Sequence, residues 1–355
     1  MTLFFIAEAG VNHNGDKDMA FQLIDVAVAA GADAVKFQTF SADALASETA
    51  PKAAYQNETT DASESQRDML KRLELPHAWH FELRDYCTEK GIAFISTPFE
   101  EKSLHFLAKD LGLETIKVPS GEITNGPFLL QIAESGCDII LSSGMSTLDE
   151  VRQALGVLAF GLLGSTDQPS RKAFEAAFAS MEGKAVLREK VSLLQCTSAY
   201  PTPLAEANVR AMVTMRDAFG LRVGFSDHTE GQAASLAAAA LGATIIEKHF
   251  TLDRTLPGPD HKASLEPDEL TALIDGIRAI NMSLGDGLKT PQPSEIETAA
   301  VARKSLTALQ SINTGGTLNA ENIGAKRPGN GISPMRYWEF IGKPASKKYA
   351  KGEVL

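Results

Sequence analysis

Arg222-Val223-Gly224-Phe225-Ser226-Asp227-His228-Thr229 is followed, after an alanine-rich segment, by Ile245-Ile246-Glu247-Lys248-His249-Phe250-Thr251. Each stretch closes a short apolar run on a histidine. The segment between them, Gly231 to Leu241, has a helical composition and a length of about three turns. The spacing predicts a β-α-β unit with an imidazole at the exit of each strand. Two neutral imidazoles emerging at one end of neighbouring parallel strands form half of a divalent-metal site. The competing reading is a pair of strand-end histidines bonded to backbone, and only the rest of the chain can separate the two.

Outward from this unit the same alternation recurs. Strands are predicted at Leu3–Ala9, Ala34–Gln38, Ile92–Ser96, Glu114–Val118, Asp138–Leu141, Val191–Cys196, Leu221–Ser226 and Ala243–Lys248. Helices are predicted at Asp18–Ala30, His77–Lys90, Lys102–Leu111, Pro127–Ser135, Thr147–Leu158, Pro203–Phe219, Gly231–Leu241 and Pro267–Leu284, with a capping box from Thr147 to Glu150. The strands are continuous apolar runs, as expected of strands covered on both faces. Eight βα units over about 280 residues predict an α/β chain with a (β/α)8 TIM barrel. An open doubly wound sheet would carry a glycine-rich GxGxxG after its first strand, whereas here Gly10 and Gly15 flank Val11-Asn12-His13-Asn14.

Three segments stand outside this pattern. Phe40 to Leu75 is polar and aperiodic. Ala159 to Lys190 interrupts the alternation and reads as a surface loop with a short helix, a neutral insertion. Gly285 to Ser294, with two glycines and two prolines, reads as a linker. The expected division is a barrel over 1–284, a linker over 285–296 and a small module over 297–355. The 355-residue chain carries a net charge of −11, yet the stretch from Glu297 holds nine Lys/Arg against four acids, leaving −16 on the rest. That shift marks a separate module able to dock on an acidic body or reach an anionic ligand. The acidic total speaks against nucleic-acid binding. No apolar run approaches a membrane span, and no segment reads as a signal peptide, so no membrane partner and a cytoplasmic location are expected. Cys87, Cys137 and Cys196 lack CxxC spacing, which fits a reducing compartment and argues against a disulfide framework or a cysteine-bound metal, and Cys196 reads as a buried inert thiol.

Barrel enzymes place their chemistry at the C-terminal ends of the strands. Those ends carry Glu8, then Lys36 and Gln38, then Ser96 and Thr97. Lys117, Ser120 and Glu122 follow, then Ser142 and Ser143, then Thr197, Ser198 and Tyr200. The last two ends are Ser226-Asp227-His228 and Glu247-Lys248-His249. Lysine is rarely buried without a partner. Three of them, Lys36, Lys117 and Lys248, beside Thr97, Ser120 and Ser226, read as a cradle for a phosphate or carboxylate. Glu8 either pairs with Lys36 or handles a proton near a metal-bound carbonyl. Asp260, in a loop fixed by Pro257, Gly258 and Pro259, either binds hydroxyls or caps a turn.

The motifs Ala7-Glu8-Ala9-Gly10-Val11-Asn12-His13-Asn14-Gly15, Val35-Lys36-Phe37-Gln38-Thr39-Phe40 and Ile95-Ser96-Thr97-Pro98-Phe99 resemble those of the sialic-acid (nonulosonic-acid) synthases. So do Lys117-Val118-Pro119-Ser120-Gly121-Glu122, Tyr200-Pro201-Thr202-Pro203, Phe225 to Thr229, Glu247 to Thr251 and Pro257 to Asp260. Lys326-Arg327-Pro328-Gly329-Asn330-Gly331 resembles the opening of the antifreeze-like (SAF, β-clip-like) module that those enzymes carry. The resemblance implies condensation of phosphoenolpyruvate with the open-chain aldehyde of an N-acyl hexosamine, with loss of phosphate and need for Mn2+ or Mg2+. By motif position, His228 and His249 would hold the metal. Lys36, Thr97, Lys117, Ser120, Ser198 and Ser226 would hold phosphoenolpyruvate, with Glu122 closing the Lys117 motif among the substrate-binding residues. Glu8, Gln38, Tyr200 and Asp260 would face the sugar. Arg327, from a second subunit, would reach the acyl group, in a homodimer that lays the SAF module over the partner barrel. Position 198, often asparagine in the family, is serine here, and the insertion is longer than in compact members.

N-acetylmannosamine, giving N-acetylneuraminate, is the acceptor expected first. A 2,4-diacetamido-trideoxy hexose, giving N,N'-diacetyllegionaminate or pseudaminate, is the alternative. The choice would fall to the loops around Asp260, Tyr200 and Tyr55–Gln66. A sugar-binding protein with a dead barrel is the reading from another class. Against it, no proposed metal or lysine position is degraded.

Overall fold

The computed structural model describes residues 3–47, 50–52, 60 and 64–355. The chain divides into two compact units, Met1–Gly285 and Asp286–Leu355.

The first unit is built on eight parallel strands: β1 Phe4–Gly10, β2 Ala34–Thr39, β3 Ala93–Pro98, β4 Thr115–Val118, β5 Asp138–Ser142, β6 Val191–Cys196, β7 Arg222–Asp227 and β8 Ile245–His249. Their order is β3-β2-β1-β8-β7-β6-β5-β4, so each strand neighbours its sequence neighbour and β1 pairs with β8. The terminal strands β3 and β4 also lie side by side without ladder pairing, and the barrel is nearly closed. This is the (β/α)8 architecture that the alternation predicts.

Strand alternation sorts the side chains into two cores. Facing inward, Ile6, Ala34, Ile95, Ile140, Leu194 and Ile245 form one buried layer inside the barrel. Facing outward, Phe5, Ala7, Val35, Phe37, Ile116, Leu141, Leu193, Val223 and Ile246 pack under the helices. Two residues further along each inward-facing series come Glu8, Lys36, Thr97, Ser142, Cys196 and Glu247. The polar rim is therefore the next layer of the same inward series.

Most elements fall within a few residues of expectation. The helix over His77–Lys90 and the strand over Val191–Cys196 match residue for residue, and Thr147 and Glu150 form the capping box. The insertion differs. The helix starting at Leu148 runs on to Leu162, and two more follow, Arg171–Ala179 and Met181–Lys190, capped by Ser170 and Ser180. Only 163–170 is loop, because Phe174 packs edge-on against Phe160 at 5.2 Å and gives the segment an apolar face. In the polar stretch after β2, short helices cover Ala42–Leu45 and Gln66–Leu73. Most of Tyr55–Gln66, including residues 55–59 and 61–63, lies outside the described residues.

The second unit contains the helix Ile296–Ala302 and an antiparallel pair, β9 Ser305–Ala308 with β10 Ile323–Lys326. Its small core gathers Ala308, Ile312, Leu318, Ile323, Ala345 and Tyr349. Among the described residues no helix is long and apolar enough to cross a membrane.

Candidate active site

A cavity of about 220 Å³ opens at the C-terminal end of the barrel. Glu8, Lys36, Gln38, Thr97, Lys117, Ser120, Ser198, Tyr200, Ser226, His228 and His249 all line it. Eleven residues expected from strand ends and motifs thus meet in one place, although they come from seven strands and the loops after them.

The floor is a buried charge network. Lys36 Nζ lies 2.6 Å from Glu8 Oε1 and 3.6 Å from Glu247 Oε2, and donates to Thr97 Oγ1 at 3.2 Å. Lys117 Nζ lies 3.2 Å from Glu247 Oε1, which also accepts from Ser226 Oγ at 2.9 Å. Gln38 Nε2 donates to Glu8 at 3.3 Å, and Ser120 Oγ donates to Ser142 Oγ at 2.9 Å. Burial pushes the Glu8 carboxyl up, but Lys36, His249 and Lys117 outweigh it and hold it well below the usual carboxylate range. Burial likewise works against charge on Lys117, and the Glu247 and Glu8 carboxylates reverse it and raise the ammonium. Two buried ammonium groups thus face two buried carboxylates on the cavity floor, and an entering anion would share the lysines with Glu8 and Glu247.

The two imidazoles line the same cavity beside Glu8. The His228 and His249 ring centroids are 5.6 Å apart, with the Tyr200 ring 4.1 Å from the first and 5.8 Å from the second. His228 Nδ1 lies 2.9 Å from the Thr197 carbonyl and carries a proton there; burial lowers the ring's pKa, but Cys196, the Thr197 carbonyl and Glu8 outweigh it and raise it to about 9, so Nε2 must give up its proton to serve as a metal ligand. Burial lowers the His249 pKa to about 4, with His228 and Lys36 adding to the effect and Glu8 opposing it. His249 Nδ1 is buried without a partner, and its Nε2 lies 3.8 Å from Glu8 Oε2. Gly10 at the end of β1 lets the ring sit there: at φ +52, a Cβ on Gly10 would come 3.2 Å from His249 Cε1.

These features fit a divalent ion. One imidazole is fixed by a carbonyl, in the manner of a metal-ligating histidine, and the other keeps an orphaned nitrogen. Among the described residues no three His, Cys, Asp or Glu side chains gather as a ready ligand set, so an ion held by the pair would leave several positions to water and substrate.

Three of the residues that the family motifs place at the substrate do not line the cavity. Asp260 is buried close by: burial and then the Glu8 charge raise its carboxyl to about 7, with His228 and Lys36 opposing. Glu122 turns away and accepts from Asn125 Nδ2 at 2.7 Å. Arg327, in the second unit, donates through Nε to the Ala302 carbonyl at 2.9 Å.

Lys248 corrects the reading of a three-lysine cradle. It sits between Glu247 and His249 on β8, so alternation turns it outward when they turn in. Its Nζ lies 3.1 Å from Asp227 Oδ2 and donates to the Thr229 carbonyl, with no exposure on either side chain of the pair. The cradle has two lysines. Its missing member is a carboxylate, Glu247, which the same alternation, counted back from His249, would have placed inside. The Cys196 thiol is buried, as expected, and lines the cavity 3.6 Å from His228 Nδ1. Phe99, Pro119, Gly121, Ser142 and Met145 complete the lining, and of these only Ser142 has a polar side chain.

The sequence model of the NeuB family matches residues 23–289. The chain belongs to the NeuB family. It is 47% identical over 350 residues to the N,N'-diacetyllegionaminic acid synthase of Campylobacter jejuni, covering 99% of this chain and 98% of that one. It is 41% identical to the enzyme of the same name from Legionella pneumophila, over 100% of this chain and 94% of that one. Among solved structures of NeuB-like proteins, the N-acetylneuraminic acid (sialic acid) synthetase of Leptospira borgpetersenii, in complex with citrate, superposes with a TM-score of 0.67 at 32% identity, over 84% of this chain and 90% of that one.

Proposed function

We propose that this NeuB-family chain is a phosphoenolpyruvate-condensing nonulosonate synthase whose acceptor is a 2,4-diacetamido-trideoxy hexose and whose product is N,N'-diacetyllegionaminate. The observation that carries the enzyme class is the pairing of two buried lysines with two facing imidazoles across one cavity. The 47% and 41% likeness to legionaminate synthases, against 32% to a sialic acid synthetase, favours the diacetamido acceptor over N-acetylmannosamine.

Phosphoenolpyruvate brings about three negative charges, which must leave water to enter the barrel mouth. Lys36 and Lys117 offset that cost, with Thr97, Ser120, Ser198 and Ser226 as donors to the phosphate and carboxylate oxygens. The bound enol then lies against the acceptor aldehyde. Its C3 forms the new carbon–carbon bond, the aldehyde oxygen takes up a proton, and C2 becomes electron-poor. Water adds at C2, and the tetrahedral intermediate expels phosphate to leave the 2-keto group. Glu8, held ionised by Lys36, can orient that water and offset the positive charge developing at C2, while the water's two protons end on the new hydroxyl and on the departing phosphate. A divalent ion held by His228 and His249 would supply Lewis acidity at the aldehyde. Gln38, Tyr200 and Asp260 would orient the sugar. In a homodimer, the second unit would serve as an SAF-like lid bringing Arg327 to the acyl group of the partner's substrate.

The test is phosphate release from phosphoenolpyruvate with Mn2+ and each of three sugars: N-acetylmannosamine and the two 2,4-diacetamido-trideoxy hexoses that lead to legionaminate and pseudaminate. Mass analysis of the product accompanies it. Release that depends on the first diacetamido sugar is the expected outcome. Preference for N-acetylmannosamine would return the first expectation, and release independent of any sugar would overturn the condensing mechanism.

A further inference from the structure

The Asn12-His13-Asn14-Gly15 turn after β1 takes no direct part in the cavity, yet it holds some of the most deeply buried polar groups in the barrel. Asn12 is 1% exposed. Its Nδ2 donates to the Phe250 carbonyl at 2.8 Å, one residue beyond His249, and to Ser264 Oγ at 2.9 Å. Ser264 Oγ in turn donates to the Asp260 carbonyl at 2.7 Å. At the other end of the turn, Asn14 Oδ1 lies 3.2 Å from His261 Nε2, and His261 Nδ1 lies 2.7 Å from Thr251 Oγ1. The two loops are in tight contact, since a Cβ on Gly258 would come 2.7 Å from the His261 ring and 2.8 Å from Asn14 Oδ1.

We propose that Asn12 and Ser264 are positioning residues for the acceptor half of the site, forming a latch that fixes the loop after β8 and with it the depth of the Asp260 carboxyl. A loop of Thr251–Leu265 length has many conformations to lose, and the side-chain bonds from the turn after β1 add to the loop's own, such as Arg254 Nε to the Ser264 carbonyl at 3.1 Å. The latch supplies them on the side of Asp260 and leaves Lys36 and Lys117, on β2 and β4, untouched. Asn12 reaches the loop rather than the reacting atoms, so its effect passes through Asp260 to the sugar. This inference rests on the reading of Asp260 as an acceptor-facing group.

Ser264→Ala removes the link to Asp260 while Asn12 keeps its bond to Phe250. Its acceptor KM should rise about tenfold with the phosphoenolpyruvate KM within about twofold of the parent, a loss in keeping with sub-ångström misplacement of one contact group. Ser264→Thr, which keeps the hydroxyl, should restore the parent KM. Asn12→Ala should show the same split more strongly. Hydrogen exchange, which needs no turnover, should rise about tenfold or more over Thr251–Leu265 in Ser264→Ala, with the β2–β4 half of the barrel unchanged. Equal changes in both KM values, or a lowered melting temperature with unchanged acceptor KM, would overturn the latch. So would unchanged exchange in that loop, even if the parent protein proved to use no sugar and the condensing function itself had to be abandoned.

Discussion

Asp227 and Lys248 are register partners on β7 and β8, and their side chains form an ion pair at 3.1 Å on the helix side of the barrel wall. Their sequence neighbours His228 and His249 face each other on the inside, with ring centroids 5.6 Å apart. Asp227 Oδ1 also accepts from the Thr229 amide and hydroxyl, and Oδ2 from Ser235 Oγ at 2.6 Å. The pair is thus fully engaged in structure, and its loss should be read first in stability.

Lys248→Met should destabilise the fold by about 3–5 kcal/mol, because it strands a buried carboxylate. The double variant Asp227→Asn with Lys248→Met should recover a good part of that loss in urea denaturation. Lys36→Met and Lys117→Met should instead cost phosphoenolpyruvate use about 100-fold or more in kcat/KM. A Lys248 variant that stays stable but loses phosphoenolpyruvate binding would place that lysine back in the cradle.

His249→Ala should abolish product formation and Mn2+ binding in titration calorimetry while the melting temperature changes little. A chelator should do the same to the parent protein, reversibly on adding Mn2+, because the barrel core stands without the ion. An active His249→Ala protein, or activity untouched by chelation, would remove the metal from the mechanism.

Acid should weaken the fold at histidines that are buried neutral. Burial lowers His13, His80 and His261 to about 4 from an ordinary value of 6.5. The unfolded chain binds these protons first, so stability is intact above about pH 6.5 and falls as pH drops towards 4. A shift of this size is worth on the order of 3 kcal/mol for each fully buried ring. His80 is held between Thr39 Oγ1 at 2.7 Å and the Pro76 carbonyl at 3.1 Å, away from the cavity. His80→Gln should therefore flatten the acid limb of the stability–pH curve, and an unchanged limb would assign the loss to other groups.

Arg327→Ala should raise the KM for the N-acyl sugar about tenfold or more and leave phosphoenolpyruvate binding nearly unchanged. Equal losses for both substrates would detach the second unit from the acceptor site.

The fold was legible because it rests on local signals. Eight apolar runs of strand length, separated by helices with caps such as Thr147 and Glu150, leave few topologies open. Most of the site was legible for a related reason: strand-end residues reach the same rim of a parallel barrel whatever the details of packing. The insertion was less so, because its glycines and Pro169 suggest loop, whereas the contact of Phe174 with Phe160 holds residues 171–190 as helices against the barrel's own helix.

By itself, the order of residues determined the barrel, the rim and nearly all the side chains gathered there. Only the folded barrel decided which of two adjacent residues faces in. Glu247 and Lys248 are equally polar neighbours, yet one joins Lys36 and Lys117 inside and the other pairs with Asp227 outside. Alternation separates such neighbours to opposite faces, but the sign of that alternation is set by register against strands far away in the chain, where the buried charge finds its partner.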